Sequence, residues 1–289
     1  MKKKLITVVI LSAILVFFLA ACGSDSGSLE DLQDEGTVEV GFANESPYAY
    51  ENDNGELSGA SVDIAKAVFA ELGIDNVEGK LSEWGELIPG VQAGQFDVIT
   101  AGMAIQPARC ENALFSEPTM QYGEGLVVAA GNPHGLESYQ DIADNPDVTV
   151  IVMEGATEIG YLEEVGVNPD QITTAGDIPA TFSAVQSGRA DATTGTEMTV
   201  RENFASANTE DLELVETFEQ PDIPGVPSYG GAAFHPDNEE LRDAYNEKLK
   251  ELKEDGTVAE LLEKNGFHPE NNFVEDGSVT TEQLCNGEV

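Results

Sequence analysis

The amino-acid sequence predicts an α/β fold of two lobes, each a mostly parallel sheet flanked by helices, with two strands joining the lobes. The strand-like segment Val38–Phe42 precedes the helical stripe of Ser61–Leu72, and the apolar strand Val98–Ala101 comes later in the chain. Such alternation is typical of a parallel sheet covered on both faces. A weak repeat matches Gly90–Thr100 with Ala184–Thr194: in both, a helix ends at a glycine and an aspartate introduces a strand. Two similar lobes would account for this repeat.

The first 35 residues have the features of an exported, lipid-linked chain. Three lysines precede the apolar run Leu5–Leu19, and small residues lead to Cys22. The run is shorter than the roughly 20 residues of a membrane-spanning helix, which is typical of an export signal over residues 1–21. Leu19-Ala20-Ala21-Cys22 resembles the lipobox of bacterial lipoproteins, so we expect Cys22 to carry lipid and residues 22–35 to form a flexible tether. The alternative is an ordinary secretory signal with an incidental cysteine.

The chain is strongly acidic. Its formal net charge is −41, and loss of Lys2, Lys3 and Lys4 with the signal leaves 10 basic against 54 acidic residues, a charge of −44. Nucleic acid is therefore excluded as a partner, because phosphate binding needs clustered lysine and arginine. With 41% hydrophobic residues the chain still has ample core and is not an acidic disordered protein. Repulsion among so many negative charges destabilises the folded protein unless salt screens it, so we expect a halophilic source. A merely acidic secreted protein is the alternative.

Two cysteines remain if Cys22 carries lipid. Cys110 and Cys285 are then an even pair in an oxidising compartment, where disulfides persist. We predict a bridge that ties the C-terminal tail to the first half of the chain. Two free buried thiols are the alternative.

Breaks in the apolar pattern predict where the chain crosses between the lobes. The strand Leu126–Ala130 ends at Gly131-Asn132-Pro133, which we interpret as the first crossover, and the Pro- and Gly-rich stretch Pro221–Gly231 as the return. These positions give a first lobe of residues 36–130 plus 229–289 and a second lobe of residues 131–228. Two crossovers in the middle of a chain predict a hinge with a cleft.

Five motifs occur in a specific order and spacing: Gly41-Phe42-Ala43-Asn44-Glu45-Ser46-Pro47-Tyr48, Leu57-Ser58-Gly59, Leu87-Ile88-Pro89-Gly90-Val91-Gln92-Ala93-Gly94, Ala101-Gly102-Met103 and Pro107-Ala108-Arg109. They resemble the polar amino acid (family 3) substrate-binding proteins of ABC importers, over nearly all of residues 36–268. The resemblance implies a two-lobed periplasmic-binding-protein fold of type II.

Other passages are similar to ectoine- and hydroxyectoine-binding proteins within that family. They are Ala43-Asn44-Glu45, Ser82–Gly90, Arg109-Cys110, Gly131–Leu136, Ile142–Asp147 and Thr280–Cys285. This resemblance implies a ligand site formed by Glu45, Tyr48, Trp84, Gly102, Ala104, Arg109, Thr157 and Thr196.

Arg109 is the expected partner of a ligand carboxylate. A guanidinium binds a carboxylate through two parallel hydrogen bonds, and Arg109 follows a buried strand, where α/β folds carry ligand-binding loops. We expect Thr157 and nearby backbone N–H groups to complete this contact from the other lobe. The alternative for Arg109 is a surface salt bridge with Glu111 or Glu117, which would contribute little.

The cationic end of a ligand is expected to meet aromatic faces and a carboxylate. The resemblance assigns the aromatic walls to Tyr48 and Trp84 and the carboxylate to Glu45. The alternative for Trp84, the single tryptophan of the chain, is core packing.

Two positions depart from the pattern of the resembling families. Ala104 stands where ectoine binders are expected to have a third aromatic residue. Thr196 stands where α-amino acid binders usually have an aspartate for the ammonium group. A lone hydroxyl is a poor counter-ion for a primary ammonium, which favours a delocalised or shielded cation such as a cyclic amidinium or a betaine. Glu197 is one residue away, and a small shift of the alignment would reverse this argument.

The predicted function is that of an extracellular, lipid-anchored solute-binding protein of an ABC importer. We expect it to bind a small zwitterionic compatible solute, ectoine or hydroxyectoine, and to act as a monomer with the permease subunits at the outer face of the cell membrane. Binding of polar amino acids is the alternative, followed by a dehydratase-type enzyme on the same fold. The sequence contains no recognisable catalytic set, so we predict no enzymatic activity, no cofactor and no metal site.

Overall fold

The computed structural model describes residues 27–289. The strands are β1 (Thr37–Phe42), β2 (Tyr50–Glu51), β3 (Leu57–Ser58), β4 (Asn76–Leu81), β5 (Val98–Ala104), β6 (Leu114–Phe115), β7 (Met120–Tyr122), β8 (Glu124–Ala129), β9 (Val150–Met153), β10 (Ile172–Ala175), β11 (Ala192–Thr196), β12 (Leu212–Leu214) and β13 (Ser228–Phe234). The α-helices are α1 (Leu29–Glu35), α2 (Ala60–Glu71), α3 (Leu87–Gln92), α4 (Pro107–Cys110), α5 (Tyr139–Asp144), α6 (Glu158–Glu164), α7 (Ile178–Gln186), α8 (Glu197–Ser206), α9 (Glu239–Glu254), α10 (Thr257–Lys264), α11 (Pro269–Asn272) and α12 (Thr281–Cys285). Short 3₁₀ turns cover Trp84–Glu86, Pro169–Gln171 and Thr209–Asp211.

Each lobe is built on one mixed sheet. The first has the order β4-β1-β5-β13-β6, with β7 also paired to β13, and the second has the order β10-β9-β11-β8-β12. In the first sheet β4, β1 and β5 are parallel and β13 is antiparallel to β5. In the second sheet β10, β9 and β11 are parallel and β8 is antiparallel to β11. The fourth strand of each sheet therefore arrives directly from the other lobe.

The weak sequence repeat corresponds to equivalent elements of the two lobes, α3–β5 and α7–β11. Gly94 and Gly188 follow the two helices in the left-handed conformation, with φ of 63° and 69°, which glycine adopts without steric cost. Asp97 then accepts the backbone N–H of Glu39 at 2.9 Å, and Asp191 accepts that of Thr149 at 2.8 Å. In both lobes the aspartate thus holds the neighbouring parallel strand, within β1 at Glu39 and just before β9 at Thr149.

The first crossover lies earlier in the chain than expected. Because β8 pairs with β11 and β12, the chain passes to the second lobe at Gly123, and residues 124–130 belong to that lobe rather than to the first. The apolar run identifies a buried strand but cannot say which sheet accepts it. The break at Gly131, with φ of 79°, is instead the turn that ends β8. The return crossover precedes Ser228, within one residue of the expected boundary.

The predicted tether is partly helical. Residues 29–35 form α1, which begins at Ser28, whose hydroxyl accepts the backbone N–H of Asp31, and ends at Gly36 with φ of 67°. Leu32 lies in the core of the first lobe, and burying that side chain gives a short helix the tertiary support it needs. The export signal, Cys22 and the rest of residues 1–26 lie outside the described residues. None of the helices in residues 27–289 is long and apolar enough to cross a membrane.

The C-terminal tail packs on the first lobe beside α4. Cys110 and Cys285 are joined by a disulfide across 175 residues of sequence. Leu284 is buried, and the Thr281 hydroxyl donates to the carbonyl of Ser116 at 2.6 Å. The tail therefore holds in place the short helix that carries Arg109.

Candidate functional site

A cavity lies between the two lobes at the ends of β5 and β11. Part of this cavity is open to solvent. All the residues expected to contact ligand line it, namely Glu45, Tyr48, Trp84, Gly102, Ala104, Arg109, Thr157 and Thr196. The structure adds Tyr122, Met153, Ala156, Glu158, Ile178, Thr194 and Gly195. A concave, largely apolar space with a few polar groups is suited to a small ligand.

Arg109 extends from α4 across the cleft. One terminal nitrogen, Nη1, donates to the carbonyl of Ala104 at 3.0 Å, and the other, Nη2, donates to the carbonyl of Gly155 in the second lobe at 3.1 Å. Within the described residues it forms no ion pair with Glu111 or Glu117, so the surface salt bridge is not formed. Burial lowers the pKa of Arg109, but an arginine stays charged at any physiological pH. Its remaining N–H groups are available to an anion.

Glu45 is a second ionisable residue in the wall of the cavity. Its side chain is 7% exposed and accepts the hydroxyls of Thr199 at 2.7 Å and Thr196 at 3.3 Å, both from the second lobe. Burial raises the pKa of Glu45 to about 7, although these hydrogen bonds act in the opposite direction. The carboxylate thus titrates near neutrality, and Thr196 acts as its hydrogen-bond donor.

Tyr48 and Trp84 provide the aromatic surfaces. The Tyr48 ring is buried and packs edge-on against Tyr122 and Phe267, with centroids 5.2 Å apart in each pair. Its hydroxyl has no hydrogen-bond partner among the described residues. Gly102 makes this packing possible, because a Cβ there would lie 2.6 Å from Tyr48 Cδ1.

Trp84 is half-buried at the start of a 3₁₀ turn, not in the centre of a core. Its indole N–H donates to the carbonyl of Gly155 at 3.2 Å, and the Arg109 guanidinium carbon lies 5.6 Å from the ring centroid. A cation over an aromatic face at this distance is attracted by the ring quadrupole. The same face can therefore contact a cationic ligand group only beside the guanidinium.

Ala104 is the last residue of β5 and is 3% exposed. Its methyl group lines the cavity and provides much less surface than the third aromatic ring expected at this position. The structure therefore places the departure from the expected pattern directly in the wall of the cavity.

Two buried carboxyl groups were not anticipated from the sequence. Glu158 lines the cavity at 2% exposure and accepts the Thr157 hydroxyl at 3.2 Å. Glu124 lies next to it at 1% exposure, and burial together with the Glu158 carboxyl raises the pKa of Glu124 well above its usual range. The one signal for Glu158 was its place beside Thr157 at the start of a helix. Among 54 acidic residues, the pattern alone cannot distinguish a buried glutamate from a solvated one.

Four hydrogen bonds near the cavity join one lobe to the other. Arg109 and Trp84 reach Gly155 from the first lobe, and Thr196 and Thr199 reach Glu45 from the second. A cleft lined by a guanidinium and by buried carboxyl groups can hold a small molecule of both charges, because low local dielectric strengthens each ionic contact.

The comparisons with known proteins are consistent with this geometry. The family model for bacterial extracellular solute-binding proteins, family 3, matches residues 38–268. A Sinorhizobium fredii protein described as a probable amino-acid ABC transporter periplasmic-binding protein is 35% identical over 278 residues, which cover 95% of this chain and 91% of the relative.

Solved structures are similar along nearly their whole length. EhuB in complex with hydroxyectoine has a TM-score of 0.81 and 35% identity, covering 90% of this chain and 98% of that one. An ancestral arginine-binding protein bound to glutamine has a TM-score of 0.70 and 30% identity, covering 81% and 99%. The expected two-lobed periplasmic-binding-protein fold is confirmed.

Proposed function

Since this chain belongs to the family 3 bacterial extracellular solute-binding proteins, we propose that it captures a small zwitterionic solute between its lobes and delivers it to an ABC importer. One observation carries the proposal. A single cavity is lined by Arg109 and Glu45 together with the rings of Tyr48 and Trp84. These groups complement the two charges of a zwitterion.

Arg109 is proposed to bind the ligand carboxylate. Its guanidinium donates to two carbonyl groups, and a carboxylate would accept from the remaining N–H groups as a charge-assisted pair. Thr157 lies on the opposite lobe and lines the same cavity. A ligand held by both groups would stabilise the closed arrangement, because closure brings them together.

The cation is proposed to lie at Glu45, against Tyr48 and Trp84. Both rings line the cavity, and a cation beside an aromatic face gains up to about 2 kcal/mol when desolvated. The carboxylate adds a direct counter-charge. A compact cation fits this end better than a long flexible one, because Tyr48 is fixed by Tyr122 and Phe267.

Ectoine or hydroxyectoine is the first ligand to test. The similar structure of EhuB contains hydroxyectoine, and both solutes are compact zwitterions with a delocalised cation. Polar amino acids are the second group, favoured by Ala104, whose methyl group is smaller than the expected aromatic ring, and by the ancestral arginine-binding protein whose structure contains glutamine.

Calorimetry in molar salt with ectoine, hydroxyectoine, glycine betaine, proline, arginine and glutamine tests the proposal. We expect saturable binding of ectoine and recovery of the solute unchanged, as a binding protein without catalytic activity requires. Tight binding of an amino acid with ectoine inert would reassign the ligand and leave the transport role. Conversion of a prephenate-like acid would favour the dehydratase alternative.

We also propose that Cys22 anchors the protein by lipid to the outer face of the membrane. The lipobox sequence supports the lipid anchor. The folded domain begins with α1, which follows Cys22 by a few residues. The Cys22→Ser variant should leave the membrane fraction and appear in the medium. A variant that stays membrane-bound would contradict the anchor.

Finally, we propose that the protein is adapted to high salt and acts as a monomer with its permease. The charge of −44 after removal of the signal supports the first point, since screening reduces self-repulsion. The melting temperature should rise as NaCl increases from low to molar concentration, and a melting temperature independent of salt would refute the adaptation to high salt.

Light scattering should give the mass of one chain. A stable dimer would refute the proposal that the protein acts as a monomer.

A further inference from the structure

Helix α6 of the second lobe contains a buried tyrosine hydroxyl for which the proposed function has no role. The residues at the start of this helix, Thr157 and Glu158, line the cavity, and Tyr161 follows one turn later at 5% exposure. The Tyr161 ring belongs to the core of the second lobe. Its hydroxyl reaches the return crossover, so one short helix contacts both the cavity and the hinge.

The Tyr161 hydroxyl makes two short hydrogen bonds at the hinge. It donates to the carbonyl of Gly225 at 2.7 Å and lies 2.9 Å from the hydroxyl of Ser228, both within the usual range for O–H···O bonds. Burial raises the pKa of Tyr161 to about 12, so the hydroxyl keeps its proton at neutral pH. Ser228 is the first residue of β13 and is 2% exposed. Because β13 belongs to the first sheet, the bond to Ser228 joins the two lobes.

The return crossover is shaped to meet Tyr161. Gly225 has φ of 86°, in the region that glycine adopts without steric cost, and a Cβ there would lie 3.4 Å from Tyr161 Oη. Ile223 and Val226, which flank Gly225, pack against the core of the second lobe. The bond to Gly225 is therefore internal to the second lobe, whereas rotation of that lobe away from the first would break the bond to Ser228.

We propose that Tyr161 is a positioning residue whose hydrogen bond with Ser228 holds α6, and with it Thr157, against the first lobe and so favours the closed arrangement of the cleft. A buried hydroxyl that loses its partner is costly unless water replaces it, which opposes opening at this point. Tyr161 lies outside the set of described residues that line the cavity, so it acts through the hinge and not on the solute. The inference concerns lobe closure and holds for any solute that the cavity accepts.

The first test needs no ligand. Spin labels on Glu71→Cys in the first lobe and Ser183→Cys in the second, both at exposed positions, would report the distance between the lobes. The Cys22→Ser protein with its disulfide intact is the background for labelling. Without solute, Tyr161→Phe, which keeps the ring in the core, should shift the distance distribution toward longer values.

A double-mutant cycle assigns this shift to the bond between the lobes. Ser228→Ala should shift the distribution in the same direction, and the double variant should shift it no further than Tyr161→Phe alone, because both changes remove the same bond. Tyr245→Phe, a buried tyrosine in the core of the first lobe, is the matched control and should leave the distances unchanged. Thermal unfolding confirms that each variant folds.

Stopped-flow kinetics with ectoine, followed by the fluorescence of the single tryptophan, links the hinge to binding. Tyr161→Phe should raise the dissociation rate about threefold to tenfold and leave the association rate within about twofold, because solute enters the open cleft and closure retains it. Unchanged distances in Tyr161→Phe and Ser228→Ala, or an unchanged dissociation rate, would overturn the inference even if ectoine binds. If the distances shift but ectoine does not bind, the ligand proposal fails and the role of Tyr161 stands.

Discussion

The indole N–H of Trp84 in the first lobe donates to the carbonyl oxygen of Gly155 in the second lobe at 3.2 Å. The same carbonyl accepts Arg109 Nη2 at 3.1 Å. Gly155 has φ of 77°, a conformation that glycine adopts freely and that other residues rarely do. One backbone oxygen thus receives two of the residues proposed to contact the ligand, Trp84 and Arg109, so contact between the lobes here also positions part of the site.

Trp84 should contribute through its ring more than through its N–H group. Trp84→Ala removes both and should weaken ligand binding about tenfold to thirtyfold, whereas Trp84→Phe keeps an aromatic face and should cost about threefold. Calorimetry with the best solute of the panel measures both. Equal losses in the two variants would mean that the contact with Gly155, and not the aromatic face, is what matters.

Loss of Arg109 should abolish binding. Arg109→Ala would leave the ligand carboxylate without a partner in a desolvated cleft, a cost of several kcal/mol. Arg109→Lys keeps the charge but not the planar fork, so binding should be detectable and weak. Arg189→Ala, at an exposed position of the second lobe, serves as control. Full affinity in Arg109→Ala would show that the solute binds elsewhere.

Glu45 should make ligand binding depend on pH. Because the pKa of Glu45 is raised to about 7, the carboxylate is mostly protonated at pH 6 and mostly ionised at pH 8. Affinity for a cationic group should rise about tenfold over this interval, and Glu45→Gln should remove the dependence. Titrations at constant ionic strength measure it; a flat profile in the wild type would contradict the assignment.

The same pKa shift predicts that the stability of the protein falls as pH rises, whereas its affinity for the ligand increases. The folded-state pKa of Glu45 is above its unfolded value of 4.5, so its contribution to stability is complete below pH 4.5 and is lost as pH rises through 7. Relative to Glu45→Gln, the wild-type free energy of unfolding should fall by up to about 3 kcal/mol between pH 4.5 and pH 8. Urea unfolding of both proteins checks this; parallel pH curves would refute it.

Filling the space at Ala104 should strengthen binding of a compact cation. Ala104→Phe supplies a third aromatic wall and leaves the backbone carbonyl that accepts Arg109 in place. We expect ectoine to bind about threefold to tenfold more tightly, and arginine, which needs the space, more weakly. If ectoine affinity falls instead, the open side of the cavity is part of its binding site.

The disulfide should stabilise the fold through the tail. Under non-reducing denaturing conditions the Cys22→Ser protein should contain no free thiol, and reduction should release two. Reduction should also lower the free energy of unfolding by at most about 5 kcal/mol, the chain-entropy value for closing so long a loop. Two free thiols before reduction would disprove the bridge in the purified protein.

The sequence by itself was sufficient to predict the two-lobed α/β fold. Strand and helix patterns and the repeated Gly and Asp positions are local, since each depends on a few neighbouring residues. Arg109 was expected near the ligand because it follows a buried strand, and the carboxyl ends of parallel strands in α/β folds face the ligand crevice. Thr157 was expected there because it lies at the start of a helix, and Trp84 because of the family resemblance.

Only the tertiary structure decided the features that depend on distant neighbours. The apolar run of β8 fits either sheet, and pairing with β11 assigned it to the second lobe. Glu45 is hydrogen-bonded to Thr199, 154 residues later in the chain. Glu124 and Glu158 are two of 54 acidic residues, and their identity does not say that they lose water. Burial and the neighbouring Glu158 carboxyl raise the pKa of Glu124, and both causes are properties of the folded chain.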